Sequence, residues 1–259
     1  FFQLENKFKF NEIKGTIMRT RILNVIFLIG VIYVNYLANA LPINGKNTGE
    51  LSNLYPNLFV PAGITFAIWG LIYLMLITFA VLQFMPDYRA AVTEEPYFIL
   101  SCFFNITWIF AWHYEFIFLA LLCMLALLST LALINFKLIS ERKMFKLFFG
   151  VYLGWICIAT IANITALLVS INWDGFGISA AAWTITMISA GILVVSLNMY
   201  VLKNPFLAIS VIWAFYGIVL KRSTDEPAIV LTAQTGMVLV ALVAVYVWVK
   251  RLSRASSIS

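Results

Sequence analysis

Charge is the scarcest property of this 259-residue chain: Asp, Glu, Lys and Arg make up 11% of it, against 63% hydrophobic residues. Together with a mean hydropathy of +0.97, this excludes a water-exposed globular surface. Histidine is almost missing. The single His113 stands in a tight loop beside Glu115, too few ligands for a metal site, and reads as half of a solvated interfacial pair. The three cysteines, Cys102, Cys123 and Cys157, lie in apolar runs without a CxxC pair, so they read as inert packing thiols. No GxSxG elbow, Walker loop or HExxH motif occurs. Low-complexity tracts and a soluble domain are absent as well. Nor do the apolar runs hold an ionisable residue away from their ends, which argues against a proton-driven pump. A sodium site built of carbonyls and hydroxyls stays open.

What the chain does have is long apolar runs. Roughly 20 helical residues span about 30 Å of hydrocarbon. The runs are continuous rather than alternating, which selects helices over a barrel. The expected fold is an all-α polytopic membrane bundle with eight spans, near 22–41, 58–84, 96–112, 115–137, 146–170, 178–202, 205–220 and 227–249. Only "HYE" (113–115) separates the third and fourth, so they form a tight hairpin. The seventh starts at Pro205, a residue favoured in the first turn of a helix.

The net charge of +6 points to topology rather than nucleic acid. With the N-terminus inside, only Lys46, Lys221 and Arg222 fall outside, and the other Lys and Arg residues, Arg89 and Arg142 included, fall inside. That bias places both termini in the cytoplasm. Residues 1–21 form a polar N-terminal segment with Met18 as the candidate native start. The loop "PINGKNTGELSNLYPN" (42–57) reads as a connector or as a lid over an outward-facing cavity. Pro61–Trp69 and Pro205–Trp213 share one spacing in spans of opposite orientation, a faint inverted repeat.

The interior residues that stand out are neutral and aromatic. Phe66, Trp69 and Tyr73 share one face of span two, Asn105 and Trp108 one face of span three, and Trp155, Ala159 and Asn163 one face of span five. Helix packing alone would use such residues. A pocket for a flat ligand with polar edges would use them too. Trp112, Trp173 and Trp248 sit at span ends and read as interfacial belt residues.

The order P-x7-W-x3-Y (Pro61, Trp69, Tyr73), N-x2-W (Asn105, Trp108) and Y-L-G-W-x7-N (Tyr152 to Asn163) resembles the translocator protein family, TspO/MBR, the tryptophan-rich sensory proteins. The resemblance covers about residues 22–170 and implies a five-helix core, with 171–259 a three-helix extension. It implies an intramembrane pocket for a porphyrin, sterol or similar lipophile, with ligand-facing positions at Phe66, Trp69, Tyr73, Asn105, Trp108, Tyr152, Trp155, Ala159 and Asn163. By the same resemblance Trp69 and Trp155 match the tryptophans of bacterial tetrapyrrole photodegradation, the one catalytic activity it implies. Departures are Val60 and Gly63, where Pro and Trp are common, Ala67 in place of a proline in span two, and Val151 in place of the proline of "PYLAW".

The leading reading is therefore a sensory or ligand-binding membrane protein for a tetrapyrrole or another flat lipophile, with no firm cofactor and no metal. The alternatives are a small-molecule transporter and a non-catalytic assembly partner. Its partners would be the bilayer, a lipophilic small molecule and a second copy in a homodimer, not nucleic acid. In a bacterium it would lie in the cytoplasmic membrane. A chain ending near Ile171 should retain ligand binding at some loss of stability.

Overall fold

The computed structural model describes residues 2–41, 43–88, 95–141 and 143–256. Arg89 and Arg142, both used in the charge argument, lie outside the described residues. Among those residues there are helices and turns and no strand. The helices are α1 (Phe2–Ala40), α2 (Thr48–Asn53), α3 (Ile68–Leu82), α4 (Tyr97–His113), α5 (Ile117–Lys137), α6 (Lys143–Ser170), α7 (Ala180–Val201), α8 (Leu207–Arg222) and α9 (Pro227–Ser256). Apart from the short α2, each falls on an expected span. Six helical segments are long and apolar enough to cross a bilayer. α4, with 17 residues, and α8, with 16, are shorter. α8 begins at Leu207 rather than at Pro205, whose carbonyl accepts the Ala208 N–H in the preceding turn.

α1, α4, α5, α6 and α3 close a ring by successive contacts, α3 fitting between α6 and α1. α8 packs on the outside of α6, α9 on α8, and α7 mainly on α9. The join between α6 and α8 is made by small residues. A Cβ at Gly154 would run into the Leu207 carbonyl, and one at Gly150 would meet the Asn204 amide. Ser210 Oγ donates to the Val151 carbonyl at 2.8 Å, and Asn204 Nδ2 reaches Asn135 Oδ1 at 2.7 Å and the Lys146 carbonyl at 2.8 Å. The three C-terminal helices are thus bolted to the ring by buried hydrogen bonds, each of which would be left without water if broken.

Span two is not helical from its start. Residues 58–62 are irregular and lead through a 3-10 turn (Gly63–Ala67) into α3. Irregular backbone at membrane depth needs partners inside the protein, and here they come from α8. The Ala62 N–H donates to Gly217 O at 3.0 Å, and Trp213 Nε1 to Thr65 O at 2.9 Å. Arg222 donates through Nη2 to Asn57 O (2.9 Å) and through Nε to Leu58 O (3.2 Å). A side chain at Gly217 would strike Thr65 and Pro61. The two Pro–Trp segments therefore meet, Trp213 of one bonded to the 3-10 turn of the other.

A candidate aromatic chamber

α3, α4 and α6 bring their tryptophans together inside the ring. Tyr73, Trp69, Trp108 and Trp112 form a stack: centroids lie 5.6, 6.3 and 6.3 Å apart, with interplanar angles of 19°, 26° and 22°. Trp155 meets the Trp69 ring edge to face at 6.2 Å and Phe66 at 6.1 Å, and Tyr152 meets Trp69 at 6.0 Å. Such offset and T-shaped pairs are worth about 0.5–1.5 kcal/mol each beyond area burial.

Beside this stack lies a chamber of about 60 Å³, lined by Phe66, Trp69, Trp108, Trp112, Trp155, Ala159 and Asn163 together with Thr48, Ser52, Asn57, Val60 and Pro61. A second space of about 370 Å³ adjoins it toward α1, where Asn35, Asn39, Asn47 and Gly63 are on the lining. Phe66, Trp69 and Trp108 line both and form the partition. At Gly63 a side chain would point into open space, so the absence of Trp there leaves room.

Six of the nine expected site residues (Phe66, Trp69, Trp108, Trp155, Ala159 and Asn163) line the chamber. The other three are not on its lining, and two of them, Tyr73 and Tyr152, pack against Trp69. Tyr73 is stacked beneath it with its hydroxyl buried and unpartnered among the described residues. Asn105 and Tyr152 belong to a polar chain across the bundle: Asn35 Nδ2 donates to Asn105 Oδ1 at 2.9 Å, and Asn105 Nδ2 to the Tyr152 hydroxyl at 3.1 Å. Asn163 is committed as well, its Oδ1 accepting Trp108 Nε1–H at 3.1 Å and its Nδ2 bonding Ala159 O. Two indole donors have no such partner. The N–H groups of Trp112 and Trp155 are buried without an acceptor among the described residues.

Two readings of the sequence need correction. Trp112 is not a belt residue: it is 5% exposed and faces the chamber, because the loop before span two covers the end of α4. His113 is not solvated beside Glu115. It is fully buried, with Nδ1 at 2.8 Å from Ile109 O and Nε2 at 3.5 Å from Thr48 Oγ1. Glu115 pairs instead with Lys46 at 2.8 Å and accepts the Tyr55 hydroxyl at 3.3 Å.

The same loop closes the chamber from above. α2 is capped reciprocally by Asn47 and Glu50, Leu51 is buried beneath it, and Asn44 Nδ2 donates to His113 O at 3.0 Å. Thr48 and Ser52 of α2 face the chamber. The loop is a lid in geometry, held by a capped helix, one ion pair and one amide bond.

These features define a class: an all-helical integral membrane protein, multi-pass, whose ring of helices encloses a lidded chamber of tryptophans. Residues 21–246 match the family described as TSPO-like protein, so the chain belongs to the TSPO-like family. The match runs past the motif-bearing helices and through α7, α8 and most of α9. No curated protein and no solved structure matches the chain.

Proposed function

We propose that this TSPO-like protein is a sensory or ligand-binding protein that takes a tetrapyrrole, or another flat lipophile with polar edges, into the aromatic chamber. The observation that carries this reading is the pair of orphan donors, Trp112 and Trp155, on one chamber wall. An unsatisfied buried donor costs about 1–3 kcal/mol. A ligand carrying carbonyl or carboxylate oxygens at its rim would relieve both while its plane rests on the indoles.

At about 60 Å³ the chamber is far smaller than the roughly 300–1,000 Å³ typical of such pockets. Binding therefore moves the partition of Phe66, Trp69 and Trp108 and joins the chamber to the 370 Å³ space beside it. In the joined pocket Trp69 and Trp155 would both touch the macrocycle. There their indoles would act as radical partners in any light- and oxygen-dependent degradation, since no acid–base group lines the chamber.

The test is porphyrin titration by fluorescence quenching, with thermal unfolding followed in parallel. Trp155→Phe should weaken binding about tenfold, equivalent to 1.4 kcal/mol, while the ligand-free protein melts no lower than wild type. Unchanged affinity in Trp155→Phe, Trp112→Phe and Trp69→Phe alike would mean that the stack only packs.

A further inference from the structure

A cavity of about 630 Å³ is bounded by α6, α7, the last turn of α8 and the segment 52–60 that leads into span two. Its walls are largely apolar, with Phe59, Leu168, Met187, Trp173 and Trp183 among them. Trp183 is fixed by its Nε1–H to Gly175 O at 2.9 Å, and the two indoles meet at 4.9 Å. The lining also carries three charged residues, Asp174, Lys221 and Arg222.

Two of these are already engaged. Asp174 Oδ1 accepts the Phe176 N–H at 3.0 Å. Arg222 spends Nε and Nη2 on the Leu58 and Asn57 carbonyls and pairs through Nη1 with Asp225 at 3.3 Å. Lys221 has no hydrogen bond or ion pair among the described residues, and partial burial, with the neighbouring Arg222 guanidinium, lowers its pKa from the ordinary value. An ammonium beside a guanidinium, with no carboxylate of its own, is matched by an anion.

The cavity also meets the bilayer. α7 packs mainly on α9 and more sparsely on α6, and the turn between α6 and α7 forms the mouth of the cavity with Trp173, Asp174, Gly175 and Ile178. Ile178 at that mouth is 50% exposed. Tryptophans beside a basic residue mark the depth of lipid headgroups. We infer that this outer cavity is a binding site for an amphipathic anion, an acyl chain against α6 and α7 with its phosphate or carboxylate on Lys221. It lies on the far side of Ser52, Asn57 and Val60, which line both it and the aromatic chamber.

Native mass spectrometry of the full chain in detergent tests this, with phosphatidylglycerol and phosphatidylcholine at equal concentration. One lysine near a membrane surface is worth about fivefold toward an anionic lipid, so the wild type should retain phosphatidylglycerol over phosphatidylcholine by that factor. Lys221→Gln should lose the preference, Lys221→Arg and Lys46→Gln should keep it, and Met187→Trp should lose retention of both lipids by filling the cavity. Leu168→Trp fills it from the α6 side and replaces Met187→Trp if that variant does not fold. A parallel arm adds oleate: displacement of phosphatidylglycerol identifies a free amphiphile as the occupant, and its retention identifies a bilayer lipid. Equal retention of the two lipids by wild type, or an undiminished preference in Lys221→Gln, would overturn the assignment.

Discussion

The ring of α1, α3, α4, α5 and α6 and the triplet of α7, α8 and α9 are both apolar bundles, yet their interiors are built differently. In the triplet the fully buried side chains include Ile188, Val195, Met199, Leu207, Val211, Ile218, Ile229 and Val240, with Phe215 as its fully buried aromatic. Among the buried side chains of the ring are Trp108, Trp155 and Tyr152, the amides of Asn35 and Asn105, and the indole donors without acceptors. Aliphatic packing leaves nothing unsatisfied. Tryptophan packing does so unless each N–H finds a partner, and here two do not. The triplet also directs its polar bonds outward, from Ser210 to α6 and from Trp213 and Arg222 to the segment before α3. One region leaves buried donors unpaired, and the other supplies hydrogen bonds that keep that region in shape.

This bears on the stability that a chain of the first five spans would lose. The irregular stretch 57–67 forms part of the chamber wall through Asn57, Val60, Pro61 and Phe66, and its backbone is satisfied largely from α8. A chain ending near Ile171 would leave those carbonyls and N–H groups without their α8 partners, at a cost that is largest for the groups at membrane depth. Two residues of α6 serve the same join: Gly154 lets the Leu207 carbonyl approach, and the Val151 carbonyl accepts the Ser210 hydroxyl.

The comparison breaks most sharply on topology, where the expected effect is all-or-none. If the triplet is three further spans, reporters fused after Asn172 and after Ser259 should report opposite faces of the membrane. The same face for both would mean that one of the three, with α8 the shortest, does not cross.

Next in size is the seam. Alanine normally gains up to about 1 kcal/mol over glycine inside a helix, but at position 154 its Cβ meets a backbone carbonyl. Overpacking of that kind costs about 1–3 kcal/mol. Gly154→Ala should therefore lower the thermal midpoint, and Gly217→Val more so because it strikes both Thr65 and Pro61. A raised midpoint in Gly154→Ala would mean that the triplet rests on the ring more loosely than described.

The tryptophans sharpen the comparison from the other side. Trp155→Phe removes an unsatisfied donor, so ligand-free stability should hold or rise by up to about 1 kcal/mol while porphyrin affinity falls. Trp248→Phe, in α9 against Phe206 and the Lys143 ammonium, should leave affinity unchanged. Parallel losses of stability and affinity in Trp155→Phe would identify that indole as packing.

Much of this was legible in the sequence, and the remainder failed for one physical reason. Runs of apolar residues and a 3.6-residue period locate helices and their faces, so the stripes on α3, α4 and α6 were visible in Trp69, Trp108 and Trp155. Periodicity does not say how deep along a stripe the free space lies. Tyr73 and Tyr152 share the right faces but pack against the Trp69 ring, and Asn105 is taken up by Asn35 and Tyr152. Nor does it show what arrives from a distance. Trp112 and His113 look like end-of-helix residues until Thr48, 65 positions from His113, is folded over them. The glycines at 154 and 217 were readable as small, but their partners lie in helices far along the chain.

The smallest expected effect concerns the lid. The hydrogen bond from Lys46, with its charge, holds the Glu115 carboxyl below its ordinary value of 4.5. A carboxylate depressed on folding contributes its contact fully above that ordinary value and loses it as pH falls through the lower, folded one. Both side chains are more than a third exposed, so solvent and salt screen the pair and the effect is modest. Amide exchange across residues 44–55, corrected for its intrinsic pH dependence, should accelerate as pH drops from about 6 to below 4.5. Glu115→Gln should exchange at the faster rate already at the higher pH and show no further acid response. If wild type and Glu115→Gln respond alike, the lid is held by Leu51 and the Asn44–His113 bond, and the ion pair adds nothing to its closure.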